Sequence, residues 1–432
     1  MKKMAVLLTV LIMVFSVQAE ERVLSLDDCI ETALKNNTVI LNARAMVEDY
    51  RLLKKVAQAE FLPAISARVG YTHSEQVSPE FTSFQAISPF SVFRYYGAGL
   101  SMNQTIWDGG ASIANNKRAK SDYMSSRFYM EDTEQLLIYS VEETYLNLLK
   151  QKQLLTVYQE TLNSSLEALK KAESMEAVGA SSRTDVLKAR VKVEDDRLNS
   201  IMAENFLEEA KANLNYLLGF DANNNIRIME IGPAAPLSIS YEEAVETALR
   251  NHPAMKKAYY DEKSAIHTIS AAKSAIFPQV YGSYNFGTNS TDLMDFSDPF
   301  QNEYSWSAGI SLSLNLFDGL ASPSNLQRAR VGRKSAQDNV EQIRRDVILE
   351  VKSAYLGLDV AEKSIAATTE RVLSAEEDFK LSTARYELGA GTILEQIDAQ
   401  VALTSARAQK IQAEYDARFA QSRLKKAFGQ LK

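Results

Sequence analysis

The chain has 432 residues, with 48 Lys and Arg against 55 Asp and Glu, a formal net charge of −7, nine prolines and one cysteine. This balance offers no basic stripe for nucleic acid, and the lone cysteine allows no internal disulfide. No apolar run of 18 residues follows the N-terminal segment, which argues against a transmembrane helix.

In chain order, Lys2 and Lys3 precede an apolar stretch at 5–17, and Val17-Gln18-Ala19 precedes Glu20. A basic start, a short apolar core and small residues at a cut site predict a secretory signal over 1–19, too short to span a bilayer. Cys29 lies beyond it, within an amphipathic helical pattern, where a lone thiol in an oxidising compartment is best buried.

The remainder is a tandem duplication. Ile30-Glu31-Thr32-Ala33-Leu34-Lys35-Asn36 returns as Val245-Glu246-Thr247-Ala248-Leu249-Arg250-Asn251, Arg118-Ala119-Lys120 returns as Arg328-Ala329-Arg330, and Val178-Gly179-Ala180 returns as Leu388-Gly389-Ala390. The first repeat is placed at 20–219 and the second at 239–432, joined by a linker at 220–238 rich in Asn, Gly and Pro.

Each repeat reads as helices, strand, loop, strand, one very long helix, a turn and a further helix. Strands are expected at 64–75, 95–107, 279–290 and 303–317. They alternate with period two. Tyr96, Ala98, Leu100, Met102 and Ile106 share one face, opposite Gly97, Gly99, Ser101, Asn103 and Thr105. Trp306, Ala308, Ile310, Leu312, Leu314 and Leu316 likewise oppose small polar residues. Apolar on one side, small and polar on the other, with an aromatic at the end, is the pattern of a transmembrane β-barrel strand. Pro63 and Pro278 stop the helices before the leading strands, a place where proline is tolerated.

Long helices are expected at 111–178 and 322–388, and further helices at 185–218 and 393–429. The first long helix, free of Gly and Pro, would measure ~100 Å at 1.5 Å per residue. Val141, Leu148, Leu155, Leu162 and Leu169 fall seven apart, a spacing that supercoils a helix against neighbours. Four strands cannot close a barrel, and open edges in lipid leave unpaired backbone groups. Association is therefore required: two copies give eight strands and three give twelve.

At this point the sequence resembles the TolC-type outer-membrane efflux proteins over both repeats. The resemblance is carried by Asp108-Gly109 and Asp318-Gly319 at the strand ends, VILEVKSAYLGL at 347–358, VGASSRTDVLKA at 178–189 and YELGAGTILEQIDAQ at 386–400. It implies a mixed α and β membrane protein: a homotrimer with a 12-stranded β-barrel, four strands per chain, continued by a long periplasmic α-helical coiled-coil barrel. It also implies an outer-membrane exit channel of a tripartite efflux or type I secretion system, with a periplasmic adaptor protein, an inner-membrane transporter and outer-membrane lipid as partners. No cofactor, metal or catalytic constellation is indicated, and no enzyme. A periplasmic coiled-coil adaptor or scaffold is the alternative; it accounts for the heptads but not for the two-faced strands.

The polar candidates lie at the two helix–helix turns. Thr184 and Asp185 sit where a helix begins, so one of them is expected to act as its N-cap. From the resemblance, Asp185 and Tyr386 link neighbouring coils in a periplasmic gate to which Thr184 also belongs. Glu395 and Asp398, three apart on one helix face, form acidic rings toward the lumen. Gly391 takes the place of a gate arginine common in the family, for which Arg183 is a candidate substitute. Gly179, Ala180, Ser181, Gly389, Ala390 and Gly391 read as helix C-caps from the residues alone, and as adaptor-docking positions from the resemblance.

Overall fold

The computed structural model describes residues 23–77, 90–232, 239–291, 304–429 and 431. The expected signal at 1–19 lies outside these residues. The elements run β1 (Val23–Leu24), α1 (Leu26–Asn36), α2 (Thr38–Ala59), β2 (Ala64–Val77), β3 (Phe90–Trp107), α3 (Ala111–Ala177) and α4 (Arg183–Leu218). They continue with β4 (Arg227–Ile228), α5 (Tyr241–Asn251), α6 (Pro253–Ser274), β5 (Gln279–Ser290), β6 (Tyr304–Ser313), α7 (Ala321–Glu387) and α8 (Ile393–Ala427). Two compact units result, each taking segments from both halves of the sequence: 42–133 with 242–350, and the remaining three segments.

The first of these units carries an antiparallel sheet in the order β2-β3-β5-β6. Its register aligns the apolar positions in rows. Ile65, Met102, Tyr284 and Ala308 form one row, and Ala67, Leu100, Phe286 and Trp306 the next. On the opposite face Ser66, Ser101, Asn285 and Ser307 align in part, with the Ser66 and Ser101 hydroxyls 2.7 Å apart. Each strand thus separates two environments, as alternation requires.

The strands differ from expectation at several ends and at one bulge, and β2 runs on to Val77 rather than stopping at 75. β3 begins at Phe90 rather than at 95. β6 stops at Ser313 rather than at 317, because its partner β5 begins at Gln279, directly after Pro278, and Gln279 pairs with Ser313. Between Thr105 and Trp107 a bulge inserts Ile106, so that Trp107 rather than Ile106 pairs, and does so with Val280. Two consecutive side chains thereby reach the apolar face. A Cβ on Gly282 would lie 3.3 Å from Ile106 Cδ1, so the glycine leaves the room that Ile106 occupies.

Asp108 ends the hairpin and starts α3: its carboxylate accepts from the Gly110 and Ser112 amides at 3.1 and 2.7 Å. Asp318 does the same for Ser322 at 2.8 Å. These bonds satisfy amides that a helix start leaves without a partner. Gly109 (φ 68°) cannot be replaced cheaply, since a Cβ there would meet the Ser274 carbonyl oxygen at 2.5 Å. The two turns differ in one residue: Gly110 (φ 90°) corresponds to Leu320, held at φ 70°. A leucine in the left-handed region is a strained position.

The other unit is held by a core in which Cys29, Ala33, Ile40, Val141, Tyr145, Leu214 and Leu218 are fully buried. Burial pushes the Cys29 thiol up to about 12, so it stays protonated and inert. Tyr145 donates its hydroxyl to the Met229 carbonyl at 2.7 Å and lies 3.2 Å from that of Leu24, beside the parallel β1–β4 pair. The segment expected as a plain linker at 220–238 therefore contains a strand, β4, and contributes Ile226 to this core.

The heptad stripe of α3 holds only in part. Val141 and Leu148 are buried, but Leu155, Leu162 and Leu169 are only half-buried, and the stripe shifts to Val157, Thr161, Ser165 and Ala172. Thr161 and Ser165 are polar because of what faces them. Asp196 of α4, 2% exposed, accepts from Ser165 Oγ and pairs with Lys192. Gln400 of α8 donates to Ser165 Oγ at 2.8 Å and to the Thr161 carbonyl at 3.1 Å, and the Thr161 and Thr404 hydroxyls lie 3.1 Å apart. Three helices meet at a satisfied polar layer rather than at a leucine layer.

Candidate functional site

Both helix–helix turns lie in the α3–α4–α7–α8 part of one unit. α3 and α7 end alike. The Ala180 amide donates to Met175 O and the Gly179 amide to Glu176 O, at 2.8 and 2.9 Å. Ala390 and Gly389 repeat this on Arg385 and Tyr386 at 2.8 and 3.0 Å. These paired 6→1 and 5→2 bonds form a Schellman motif, which places Gly179 (φ 77°) and Gly389 (φ 67°) in the left-handed region. The two glycines are therefore fixed by turn geometry. Residues beside them are free of that constraint: Val178 is 79% exposed and Leu388 84% exposed. Sequence reasoning missed this apolar pair, although it occupies matching places in the two repeats.

The N-cap of α4 is Ser182, not Thr184 or Asp185. Asp185 is the third helical residue and closes a capping box. Its Oδ2 accepts from the Ser182 hydroxyl at 2.8 Å, the Ser182 amide at 3.2 Å and the Ser181 hydroxyl at 3.2 Å. The Ser182 hydroxyl bond, foremost, holds the Asp185 carboxyl below its usual range. Oδ1 carries none of these bonds. Thr184 is exposed, and Arg183 pairs with Glu176 of its own turn at 3.3 Å.

At the second turn Thr392 caps α8 and accepts from the Glu395 amide at 3.2 Å. Tyr386 is 6% exposed, and its hydroxyl has no hydrogen-bond partner. Within the single chain Tyr386 and Asp185 do not bond each other; the expected link is one between neighbouring coils of an assembly. Glu395 and Asp398 are both exposed. Glu395 lies 3.7 Å from Arg385, whose guanidinium also donates to the Ala390 carbonyl at 3.3 Å. Arg385, a turn arginine immediately before Tyr386, was not singled out from the sequence. A Cβ on Gly391 would sit 3.1 Å from both Arg385 Cβ and Glu395 Oε2. The side chain of Arg385 fills the space that a larger residue at 391 would need.

Among the described residues no helix is long and apolar enough to cross a membrane, and no group of His, Cys, Asp and Glu is arranged to hold a metal. The feature that sets this chain apart is the two-faced sheet joined to paired long helices. A sequence model for outer membrane efflux proteins matches residues 29–220 and 244–430. The chain belongs to this family. Among its relatives, the solvent efflux pump outer membrane protein SrpC of Pseudomonas putida is 24% identical over 408 residues, covering 93% of this chain and 84% of that protein. The outer membrane protein TolC of Escherichia coli is 24% identical over 388 residues, covering 87% and 76%. The Campylobacter jejuni CmeC outer membrane channel superposes with a TM-score of 0.84 at 18% identity, over 94% of this chain and 85% of that one. A membrane protein from Pseudomonas aeruginosa gives 0.84 at 24% identity, over 93% of each. As an outer membrane efflux protein, the chain places its strands in the outer membrane and extends into the periplasm. The fold is the mixed α and β one expected from the sequence.

Proposed function

We propose that three copies assemble into a 12-stranded barrel that serves as the gated exit duct of a tripartite efflux or secretion system. The observation that carries this reading is the four-stranded sheet itself. β2 and β6 are its outer strands, and both have one unpaired edge. Such edges are not tolerated in lipid and are removed only by closure. Twelve strands leave room for a lumen, whereas eight are filled by their own side chains. Conduction is passive, and energy comes from an inner-membrane transporter reached through a periplasmic adaptor.

The adaptor docks on the turns. In support, both turns offer an exposed aliphatic residue, Val178 or Leu388, next to small residues. Gly179 and Gly389 are poor probes, because any side chain there strains the turn. Ala180 and Ala390, one step on, are better. Ala390→Trp is expected to reduce efflux at least tenfold while leaving assembled protein in the membrane. Normal export of a dye substrate by that variant, at normal expression, would remove the turns as the docking surface.

The gate closes when Tyr386 finds an acceptor, and Asp185 Oδ1 is the one proposed. A phenol–carboxylate bond contributes ~1.5–3 kcal/mol. Three such links approach or exceed the ~5.5 kcal/mol that moves an equilibrium from 1:99 to 99:1. Glu395 and Asp398 are proposed to face the lumen and attract cations, with Glu395 partly compensated by Arg385. Tyr386→Phe is the clean test, because it removes a hydroxyl that bonds nothing in this structure and spares the Asp185 capping box. Single-channel conductance in planar bilayers is expected to rise in Tyr386→Phe, with trimer yield unchanged. Unchanged conductance would sink the Asp185–Tyr386 gate while leaving the channel assignment intact.

A further inference from the structure

The long helices begin at the sheet, and their first turns have a charge balance unlike that of the rest of the chain. Residues 109–121 and 319–337 hold seven Lys and Arg and no Asp or Glu, in a protein whose acids outnumber its bases by 55 to 48. The pattern is present in both repeats, as Arg118-Ala119-Lys120 and Arg328-Ala329-Arg330. Among the described residues, Lys117, Arg118, Lys120, Arg328, Arg330 and Arg333 enter no ion pair, whereas the seventh, Lys334, pairs with Asp338 at 2.7 Å. All six are exposed except Arg118, which is half-buried. At the sheet end of each stretch Asp108 and Asp318 are engaged by the Ser112 and Ser322 amides, and Asp122 and Asp338 follow directly after the stretches. The neighbouring helix ends add Lys54 and Lys55 on α2, against Glu60.

The heights of these side chains fit a membrane surface. Lys117 lies six residues beyond the start of α3 and Arg333 twelve beyond the start of α7, about 9 and 18 Å along each helix. Helical side chains tilt toward the N-terminus, which in α3 and α7 is the end at the sheet. The headgroup layer adds about 5–8 Å to each side of the hydrocarbon, and charge interactions reach a further ~8 Å at physiological ionic strength. Long basic side chains pointing back toward the sheet fall within that zone.

We propose that this basic collar binds the anionic headgroups of phospholipids in the periplasmic leaflet of the outer membrane. The collar sits beside the sheet that the family places in the outer membrane and carries the complementary charge. It would fix the depth of the barrel and resist tilting when the periplasmic end is pulled. The inference rests on the outer-membrane placement of the sheet and not on the gate or the docking turns.

The test uses the assembled protein in neutral detergent, supplemented with phosphatidylglycerol, phosphatidylcholine or inorganic phosphate, with retained lipid counted by native mass spectrometry. The wild type is expected to retain phosphatidylglycerol about tenfold over phosphatidylcholine. The preference should vanish near 1 M salt, where screening shortens to about 3 Å. A variant with Arg118→Gln, Lys120→Gln, Arg328→Gln and Arg330→Gln should bind both lipids alike while assembling normally. Equal retention by the wild type, a preference that survives high salt, or displacement of the lipid by an equal concentration of phosphate would each overturn the proposal. The salt and competition arms use the wild type, so they decide even if the variant does not assemble. If the bases instead line the duct, the variant shifts the reversal potential in neutral bilayers and keeps its lipid preference, which also overturns it.

Discussion

Leu100→Arg is expected to block assembly of the barrel, whereas Ser101→Arg, one residue on, should leave assembly nearly intact. The register explains the contrast. Leu100 pairs with Ala67 on one side and Phe286 on the other, in the middle of the apolar rows, and is 50% exposed on the lipid face. An arginine at the bilayer midplane costs ~2–4 kcal/mol, and at the interfaces ~0–1 kcal/mol. In a ring of three the cost is incurred three times. Leu312 is a weaker probe, because it pairs with Val280 one residue from the end of the strand pair. Ser101 faces the polar side, opposite Ser66, so an arginine there should narrow the duct and shift its selectivity toward anions. Yield of heat-modifiable trimer and single-channel conductance separate the two outcomes. If both variants assembled equally well, the assignment of the two faces would be wrong.

Asp196→Ala should be the most destabilising single change in the helical region. Asp196 is 3% exposed at its side chain and Lys192 11% exposed, so removal of the carboxylate strands a buried ammonium and the Ser165 hydroxyl. Breaking a buried pair in this way costs ~3–5 kcal/mol. Removing both charges with a well-packed apolar pair is often neutral or stabilising. Asp196→Leu combined with Lys192→Met should therefore recover most of the loss seen in Asp196→Ala. Thermal unfolding of the purified protein measures all three. A loss below about 1 kcal/mol for Asp196→Ala, or no recovery in the double variant, would show that the layer does not act as a coupled charge pair.

The sequence revealed the elements whose signal is periodic or punctuated. Alternation located the strands, Pro63 and Pro278 marked their beginnings, and the absence of Gly and Pro between 111 and 178 marked a long helix. What escaped notice depends on partners distant in sequence. A bulge at Ile106 is invisible to a period-two count, because it exists only relative to Tyr281 and Val280 on the next strand. β6 ends at Ser313 for want of a partner, although Leu314 and Leu316 continue the alternation. β4, two residues long, carries no pattern of its own. The polar layer was missed because Asp196 lies in the run Glu194-Asp195-Asp196-Arg197, which looks like a solvated helix face. At the turns, the choice between Ser182 and Thr184 as N-cap depends on backbone angles that composition does not encode. Tyr386 was correctly placed beside a turn, but its buried, unpartnered hydroxyl and the adjacent Arg385–Glu395 pair required side-chain geometry.

The open edges of the sheet also have a genetic consequence. A closed ring has no place for a defective member: one chain whose β2 or β6 cannot pair leaves the whole barrel unsealed. If half of the chains in a cell carried such a lesion and assembled at random in threes, about one ring in eight would contain only sound copies. Edge-strand lesions should therefore be dominant over the wild-type allele, whereas lesions that prevent a chain from folding at all should be recessive, because those chains never enter a ring.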